Sequence, residues 1–91
     1  MKKIFQTFLE KDYQKILQLL AKKRKEKGVT QYDISQRLGL TESGYFKIEK
    51  GTTRLDIMRF IVILNILDIS PQDFFQELKD SSPLDILRND L

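Results

Sequence analysis

The sequence predicts an all-α fold built from five helices, and three observations support this prediction. Apolar residues recur at spacings of three and four along most of the chain, which is the periodicity of helices that bury one face. No stretch has the alternating pattern of a half-buried strand. Residues that commonly start or end helices divide the pattern into short segments. The starts are at Thr30, Thr41 and Ser70-Pro71, and the ends are at Gly28, Gly39 and Gly51.

The composition narrows the functional classes. The chain has 91 residues, of which 41% are apolar, a share sufficient for the core of one small globular domain. It contains no cysteine and no histidine, which excludes disulfides, thiolate metal sites and histidine acid–base chemistry. We therefore expect a single domain over residues 1–91 that is not an enzyme and uses no metal or cofactor.

Charge is distributed unevenly along the chain. Residues 1–67 carry 14 basic and 7 acidic side chains, whereas residues 68–91 carry 2 basic and 6 acidic ones, for a net charge of +3. A basic body favours a polyanionic partner, and the acidic tail favours a different contact. We see no signal peptide and no apolar run approaching the ~20 residues of a membrane span, so we expect a cytoplasmic protein without a membrane partner.

The first helical pattern covers residues 2–24. It predicts either one long helix or a short helix followed by a break near residues 10–12. The part from Asp12 to Lys25 is helical in both cases, and Gly28 ends it. Phe5, Phe8 and Leu9 lie in the part that precedes the break.

Two short helices follow, from Thr30 to Gly39 and from Thr41 to Gly51. In the first, Ile34 and Leu38 are four residues apart and should point into the core. In the second, Tyr45 and Ile48 share one face, which should also be buried. Most of the remaining side chains lie off that face: Glu42, Ser43, Phe46, Lys47 and Lys50.

The fourth helix is predicted from Asp56 to Leu67 and the fifth after Ser70-Pro71. The fourth should be the central buried helix, because its apolar residues surround it nearly all round. Its inward stripe is predicted to be Ile57, Phe60, Ile61, Leu64 and Leu67, widened by Val62, Ile63 and Ile66. The fifth helix carries Phe74, Phe75 and Leu78, and a last short turn is predicted around Leu84, Ile86 and Leu87.

Residues 20–70 contain a characteristic series of positions: Arg24, Gly28, Gln31, Ile34, Leu38-Gly39, Ile48-Glu49-Lys50-Gly51 and Leu67. In this series the chain resembles the Cro/phage-repressor-type (XRE-like) helix-turn-helix family. The resemblance implies a five-helix, lambda-repressor-like core over residues 12–78, flanked by extensions at 1–11 and 79–91. Two departures from the family pattern stand out. Gly44 is unusual inside the second helix of the motif, and Asp68 replaces a glycine after the fourth.

The resemblance implies that this second helix lies in the major groove of double-stranded DNA. The positions expected to read base edges are Glu42, Ser43 and Lys47. Those expected to contact the DNA backbone are Gln31, Thr41, Lys50, Thr52 and Arg54. Alternatively, Glu42 hydrogen-bonds Gln31. Phe46 either contacts a thymine methyl or packs partly into the core, and we favour packing. Arg24 and Glu49 are expected to form a structural ion pair.

The function that the resemblance implies is a bacterial or phage transcription regulator, most simply a repressor. It would bind a palindromic operator as a homodimer. The alternative is an interaction protein, such as an antitoxin, in which DNA binding is autoregulatory or secondary and the acidic tail holds a protein partner. The two extensions are rich in apolar residues, which predicts that one or both of them contribute to the dimer interface.

Overall fold

The computed structural model describes residues 2–81, with the surroundings of side chains from Glu10 to Asp80. The described chain forms five helices and no strand, which confirms the predicted all-α class. The predicted turn around Leu84, Ile86 and Leu87 lies outside the described residues, as do the side chains of Phe5, Phe8 and Leu9. The helices are α1 (Lys2–Glu26), α2 (Gln31–Leu38), α3 (Glu42–Lys50), α4 (Ile57–Ile66) and α5 (Pro71–Ser81).

The first helix is continuous, so of the two alternatives that the sequence left open the structure has the single long helix. No break occurs near residues 10–12. Lys23, Arg24 and Lys25 lie in its last turn, where cations interact favourably with the helix dipole. The chain then leaves α1 at Gly28, whose φ is 71°.

Side-chain caps begin the next two helices, as predicted. The Oγ1 of Thr30 accepts a hydrogen bond from the backbone N–H of Asp33, and the Asp33 carboxylate accepts one from the N–H of Thr30, both at 3.0 Å. This reciprocal arrangement satisfies two backbone donors that a helix start leaves unpaired. Thr41 caps α3 by accepting from the N–H of Gly44 at 2.9 Å. Both caps thereby fix the two helices that flank the turn.

The turn between α2 and α3 depends on Gly39, whose φ of 70° is a conformation that a Cβ disfavours. Beside it, the N–H of Leu40 donates to the carbonyl oxygen of Ser35 at 2.8 Å. Ser35 is fully buried, and its hydroxyl donates to the carbonyl of Tyr32 at 2.6 Å. A small, internally satisfied residue here lets the two helices pack closely.

The core lies where the five helices meet, and its least exposed members come from every helix. They are Leu20, Ile34, Tyr45, Ile48, Ile63, Leu64, Leu67 and Phe74. Aromatic contacts join α4 to α5, because the ring of Phe60 lies 5.4 Å from that of Phe74 and 5.8 Å from that of Phe75, centroid to centroid. The ion pairs of Lys22 and Lys23 with Glu77 add polar contacts between α1 and α5.

The predicted orientation of α4 was partly wrong. Its predicted bounds are close to those observed, since Asp56 caps the helix by accepting from the N–H of Arg59 and Leu67 ends it. However, the helix is not buried nearly all round as predicted: Ile57, Ile61 and Val62 are exposed, whereas Phe60, Ile63 and Leu64 are buried. Because apolar residues surround α4, periodicity alone could not select the buried face; packing against α2 and α5 selects it.

Candidate nucleic-acid interface

The third helix has two chemically distinct faces. Tyr45 and Ile48 are buried in the core, as the spacing predicted. The opposite side is exposed, and it carries the three residues predicted to read base edges: Glu42, Ser43 and Lys47. A helix held on one side and open on the other is the geometry that a groove-binding helix requires.

A buried polar network holds the inner side of α3. The guanidinium of Arg24 donates to both carboxylate oxygens of Glu49, from Nε at 2.9 Å and from Nη2 at 3.0 Å. Both side chains are only 8% exposed. The third guanidinium nitrogen, Nη1, donates to the carbonyl of Val29 at 3.0 Å. The structure thus contains the ion pair that the resemblance implied, in the two-pronged geometry that arginine and carboxylate favour.

Two further groups converge on the same carboxylate. The amide Nε2 of Gln31 donates to Glu49 at 3.0 Å, and the hydroxyl of Tyr45 is hydrogen-bonded to it. Burial, and then this hydrogen bond, raise the pKa of Tyr45 far above its usual value, so the hydroxyl keeps its proton and donates. Burial alone would raise the pKa of Glu49, but the hydrogen bonds from Arg24, Gln31 and Tyr45 outweigh it and lower that pKa.

This network corrects one expectation. The alternative expectation was that Glu42 hydrogen-bonds Gln31, but the carboxylate that the Gln31 amide contacts is that of Glu49. Gln31 is nevertheless the first residue of α2, where the positive end of the helix dipole favours an anion such as phosphate. Its amide NH₂ has a second N–H, so the bond to Glu49 orients Gln31 without using all of its donors.

Thr41 and Gly44 form one unit at the start of α3. A Cβ added to Gly44 would lie 3.1 Å from the Thr41 Oγ1, so the glycine gives the capping hydroxyl room. This contact supplies a local reason for the unusual glycine, which costs ~1 kcal/mol in helix propensity relative to alanine. Because the hydroxyl oxygen accepts from Gly44, its own proton remains available for a phosphate oxygen.

The segment after α3 is held by contacts with both α3 and α1. The N–H groups of Thr52 and Thr53 donate to the carbonyl of Lys47 at 2.9 and 3.1 Å. Arg54 forms an ion pair with Glu10, and its guanidinium lies 5.0 Å from the ring centroid of Tyr13. These contacts hold a predicted backbone-binding residue against the first helix.

Tyr13 also holds the backbone of this loop, since its hydroxyl accepts a hydrogen bond from the N–H of Leu55 at 2.7 Å. The sequence did not predict the roles of Glu10 and Tyr13, because no local spacing connects either residue with a loop that follows 44 or 42 positions later.

Phe46 lies on the outer face, and its expected packing into the core was wrong. Its side chain is 46% exposed, and the ammonium of Lys50 lies 5.8 Å from its ring centroid. At that distance the ring attracts the cation. The outer face of α3 therefore presents an aromatic ring beside two cations, Lys47 and Lys50.

The arrangement as a whole defines a helix-turn-helix domain, in which α2 and α3 form the motif and α3 is its exposed second helix. Comparison with known families agrees: the helix-turn-helix family profile matches residues 20–74. The chain therefore belongs to the XRE-type helix-turn-helix family.

A relative among curated proteins extends this finding. It is an uncharacterised HTH-type transcriptional regulator, YqaE, of Bacillus subtilis strain 168, and it is 41% identical over 51 residues. The match covers 56% of this chain and 44% of that protein, so the chain spans less than half the length of this relative. No solved structure matched the chain significantly. Along residues 2–81, no helix combines the length and the apolarity needed to cross a membrane.

Proposed function

We propose that this protein is a transcription regulator that binds a palindromic operator in double-stranded DNA as a homodimer. The observation that carries the proposal is the two-faced α3, whose inner side is held by Arg24 and Glu49 while its outer side is exposed. Repression follows where the operator overlaps a promoter. A bacterial or phage origin and a cytoplasmic location accompany the proposal, because they are the setting of this family.

In this proposal, α3 lies in the major groove and its first two turns meet base edges. The ammonium of Lys47 donates to guanine O6 and N7, the carboxylate of Glu42 accepts from cytosine N4, and Ser43 pairs with either kind of group. Contacts to the DNA backbone position the protein without selecting sequence. The residues proposed for them are Gln31, Thr41, Lys50, Thr52 and Arg54.

The two subunits would place their α3 helices in successive major grooves on one side of the DNA. Half-site centres would then lie about one helical turn apart, ~34–36 Å. The operator would be palindromic because a twofold dimer presents the same face to each half-site.

The experiment that tests the proposal is selection of bound duplexes from random DNA, followed by titration of the selected site at several salt concentrations. We expect enrichment of an inverted repeat and a steep salt dependence, because each neutralised phosphate contributes a slope of about −0.9 in log K against log salt. A scrambled duplex of equal length is the control. A flat salt response with no enriched sequence would contradict DNA binding and favour the protein-partner alternative.

A further inference from the structure

Over its first two turns, the fourth helix is apolar on the side that faces away from the core, and the exposed polar residue Asn65 ends this apolar stretch. Ile57 and Met58 are 69% and 73% exposed, and Ile61 and Val62 are exposed as well. The opposite side is buried through Phe60, Ile63, Leu64 and Leu67. A helix that is apolar all round is normally covered on all sides. The described chain covers only one side of α4.

Phe75 of α5 extends this exposed surface, since it is a large exposed side chain in contact with Phe60. We call the surface formed by Ile57, Met58, Ile61, Val62 and Phe75 the α4 outer face. It borders a hollow of about 230 Å³, lined mainly by apolar side chains, among them Ile57, Phe60 and Phe75, and by one charged residue, Asp56. A hollow of this kind admits an aliphatic side chain from a partner.

We propose that the α4 outer face pairs with the same face of a second copy of this chain. Its area is on the order of 500 Å², the upper range for an apolar patch on a monomer. Two such faces together bury roughly 1,000 Å², the size at which a specific protein–protein interface begins. The patch thus reaches the lower size limit of a specific interface.

Charge favours a second copy over a charged partner. The five residues of the face are uncharged, and the charged groups at its edge, Asp56 and Arg59, pair with each other at 3.1 Å. The edge therefore neither repels an identical face nor selects a strongly acidic or basic one.

The spacing of the side chains suits twofold pairing. Ile57 and Ile61 are four residues apart, as are Met58 and Val62, so they form two adjacent rows along one strip. A twofold axis across such a strip lays it antiparallel on its copy, and each row meets apolar atoms.

This inference rests on the proposed function only for the role of the dimer in DNA binding. Residues 51–56 alone separate α3 from α4, so pairing through α4 would set the spacing of the two α3 helices on the operator. The association itself does not require DNA and can be measured without it.

The test is sedimentation of the full chain at micromolar concentrations, for the parent and for Met58→Glu and Ile57→Glu. Both residues are largely exposed, so the variants should fold, and circular dichroism checks this. Gln18→Glu adds the same charge on an exposed part of α1 and serves as the matched control. We expect the parent and the control to be dimers and the two α4 variants to dissociate on the order of a hundredfold more readily, because like charges then meet in an apolar interface.

Other results overturn the proposal and identify another occupant. If the two α4 variants stay dimeric, the interface lies elsewhere. If the parent is monomeric and Met58→Glu lowers its melting temperature, the face is covered within one chain. If the parent is monomeric and neither variant changes the melting temperature, a different protein is the remaining occupant.

DNA titration separates this inference from the proposed function. Met58→Glu should still bind a single half-site duplex as the parent does, but lose the parent's additional affinity for the full palindrome. Another outcome is that neither the parent nor the variants bind DNA even though sedimentation shows the expected dissociation. In that case the α4 outer face is the dimer interface and the DNA-binding proposal fails.

Discussion

The helices α3 and α4 follow one another and are nearly equal in length, yet the surfaces that they expose have opposite chemistry. The exposed side of α3 carries Ser43, Lys47 and Lys50, whereas that of α4 carries Met58 and Ile61. Polar and cationic groups suit a charged, hydrated ligand, while aliphatic groups suit another apolar surface. This contrast in surface chemistry underlies the proposals of a DNA-binding α3 and a self-pairing α4.

The buried sides of the two helices differ as well. Arg24 of α1 and Glu49 of α3 form directional hydrogen bonds in which each donor has one acceptor. This network therefore defines a single orientation of α3. Below α4, aromatic and aliphatic contacts predominate, such as the edge-on packing of Phe60 and Phe74.

Removing the arginine below α3 should have the largest effect. Arg24→Ala leaves the Glu49 carboxylate buried without its cation, so the free energy of unfolding should fall by roughly 3–5 kcal/mol. Lys25→Ala removes an adjacent, exposed cation from the same turn of α1 and should cost less than about 1 kcal/mol. Urea denaturation measures both. Equal losses in the two variants would show that the network does not hold α3.

Acid should weaken the same network. The pKa of Glu49 is lower in the folded chain than its ordinary value near 4.5, since its hydrogen bonds outweigh the effect of burial. Its contribution to stability is therefore complete above the unfolded-state pKa and is lost as the pH falls through the folded-state pKa. Thermal melting should show Glu49→Gln less stable than the parent at neutral pH, with the gap narrowing as the pH falls below the ordinary glutamate pKa. A gap independent of pH would contradict the assignment.

On the exposed side, Lys47 and Lys50 should affect DNA binding differently. Lys47→Ala should cost about 1–3 kcal/mol on the selected operator and relax the preference at one base pair. Lys50→Ala should weaken operator and scrambled DNA equally, and reduce the salt slope by about one per subunit. Titrations of both duplexes at two salt concentrations distinguish these outcomes. Identical behaviour of the two variants would show that α3 is placed incorrectly in the groove.

The end of α4 offers a smaller effect on stability. Asp68 has a φ of 56°, as expected for a residue at a position where the family has glycine. Asp68→Gly should raise the free energy of unfolding by about 1 kcal/mol, because glycine adopts this conformation without a clash at Cβ. Asp68→Ala retains the Cβ and should bring no gain. Urea denaturation compares the two variants with the parent. Equal free energies of unfolding would show that the backbone conformation at Asp68 costs no stability.

The contrast between α3 and α4 also explains how far the sequence predicted the structure. In α3, polar and apolar residues alternate with helical spacing, so the buried pair Tyr45 and Ile48 could be identified in advance. In α4, both sides are apolar, so the pattern identified the helix and its approximate bounds but misplaced Ile57 and Ile61. Periodicity selects a buried face only where the two faces differ in polarity.

The candidate interface was predictable where local rules or the family pattern apply. Thr30 and Thr41 as caps follow from local hydrogen bonding, and the Arg24–Glu49 pair follows from the resemblance. The contacts of Arg54 with Glu10 and of Leu55 with Tyr13 join residues 44 and 42 positions apart. No spacing rule connects such positions, since only the packed fold brings them together.

These long-range contacts motivate the last prediction, which concerns the loop that joins α3 to α4. Arg54 is proposed to bind a DNA phosphate, yet its guanidinium is paired with the carboxylate of Glu10. A phosphate and this carboxylate would compete for the same donors. Glu10→Gln keeps the shape of the side chain and removes its charge, so DNA affinity should rise and the salt slope should steepen by up to about one per subunit.

Two variants make this prediction specific. Glu26→Gln removes the same charge from α1 at a residue that pairs with Lys23, so it reports the general effect of a more positive protein. Arg54→Ala in the Glu10→Gln background should abolish the gain if the released arginine produces it. DNA titration at several salt concentrations measures all of these variants. A gain that persists without Arg54, or that equals the gain of Glu26→Gln, would mean that Glu10 acts through net charge and that the loop is not a competing phosphate site.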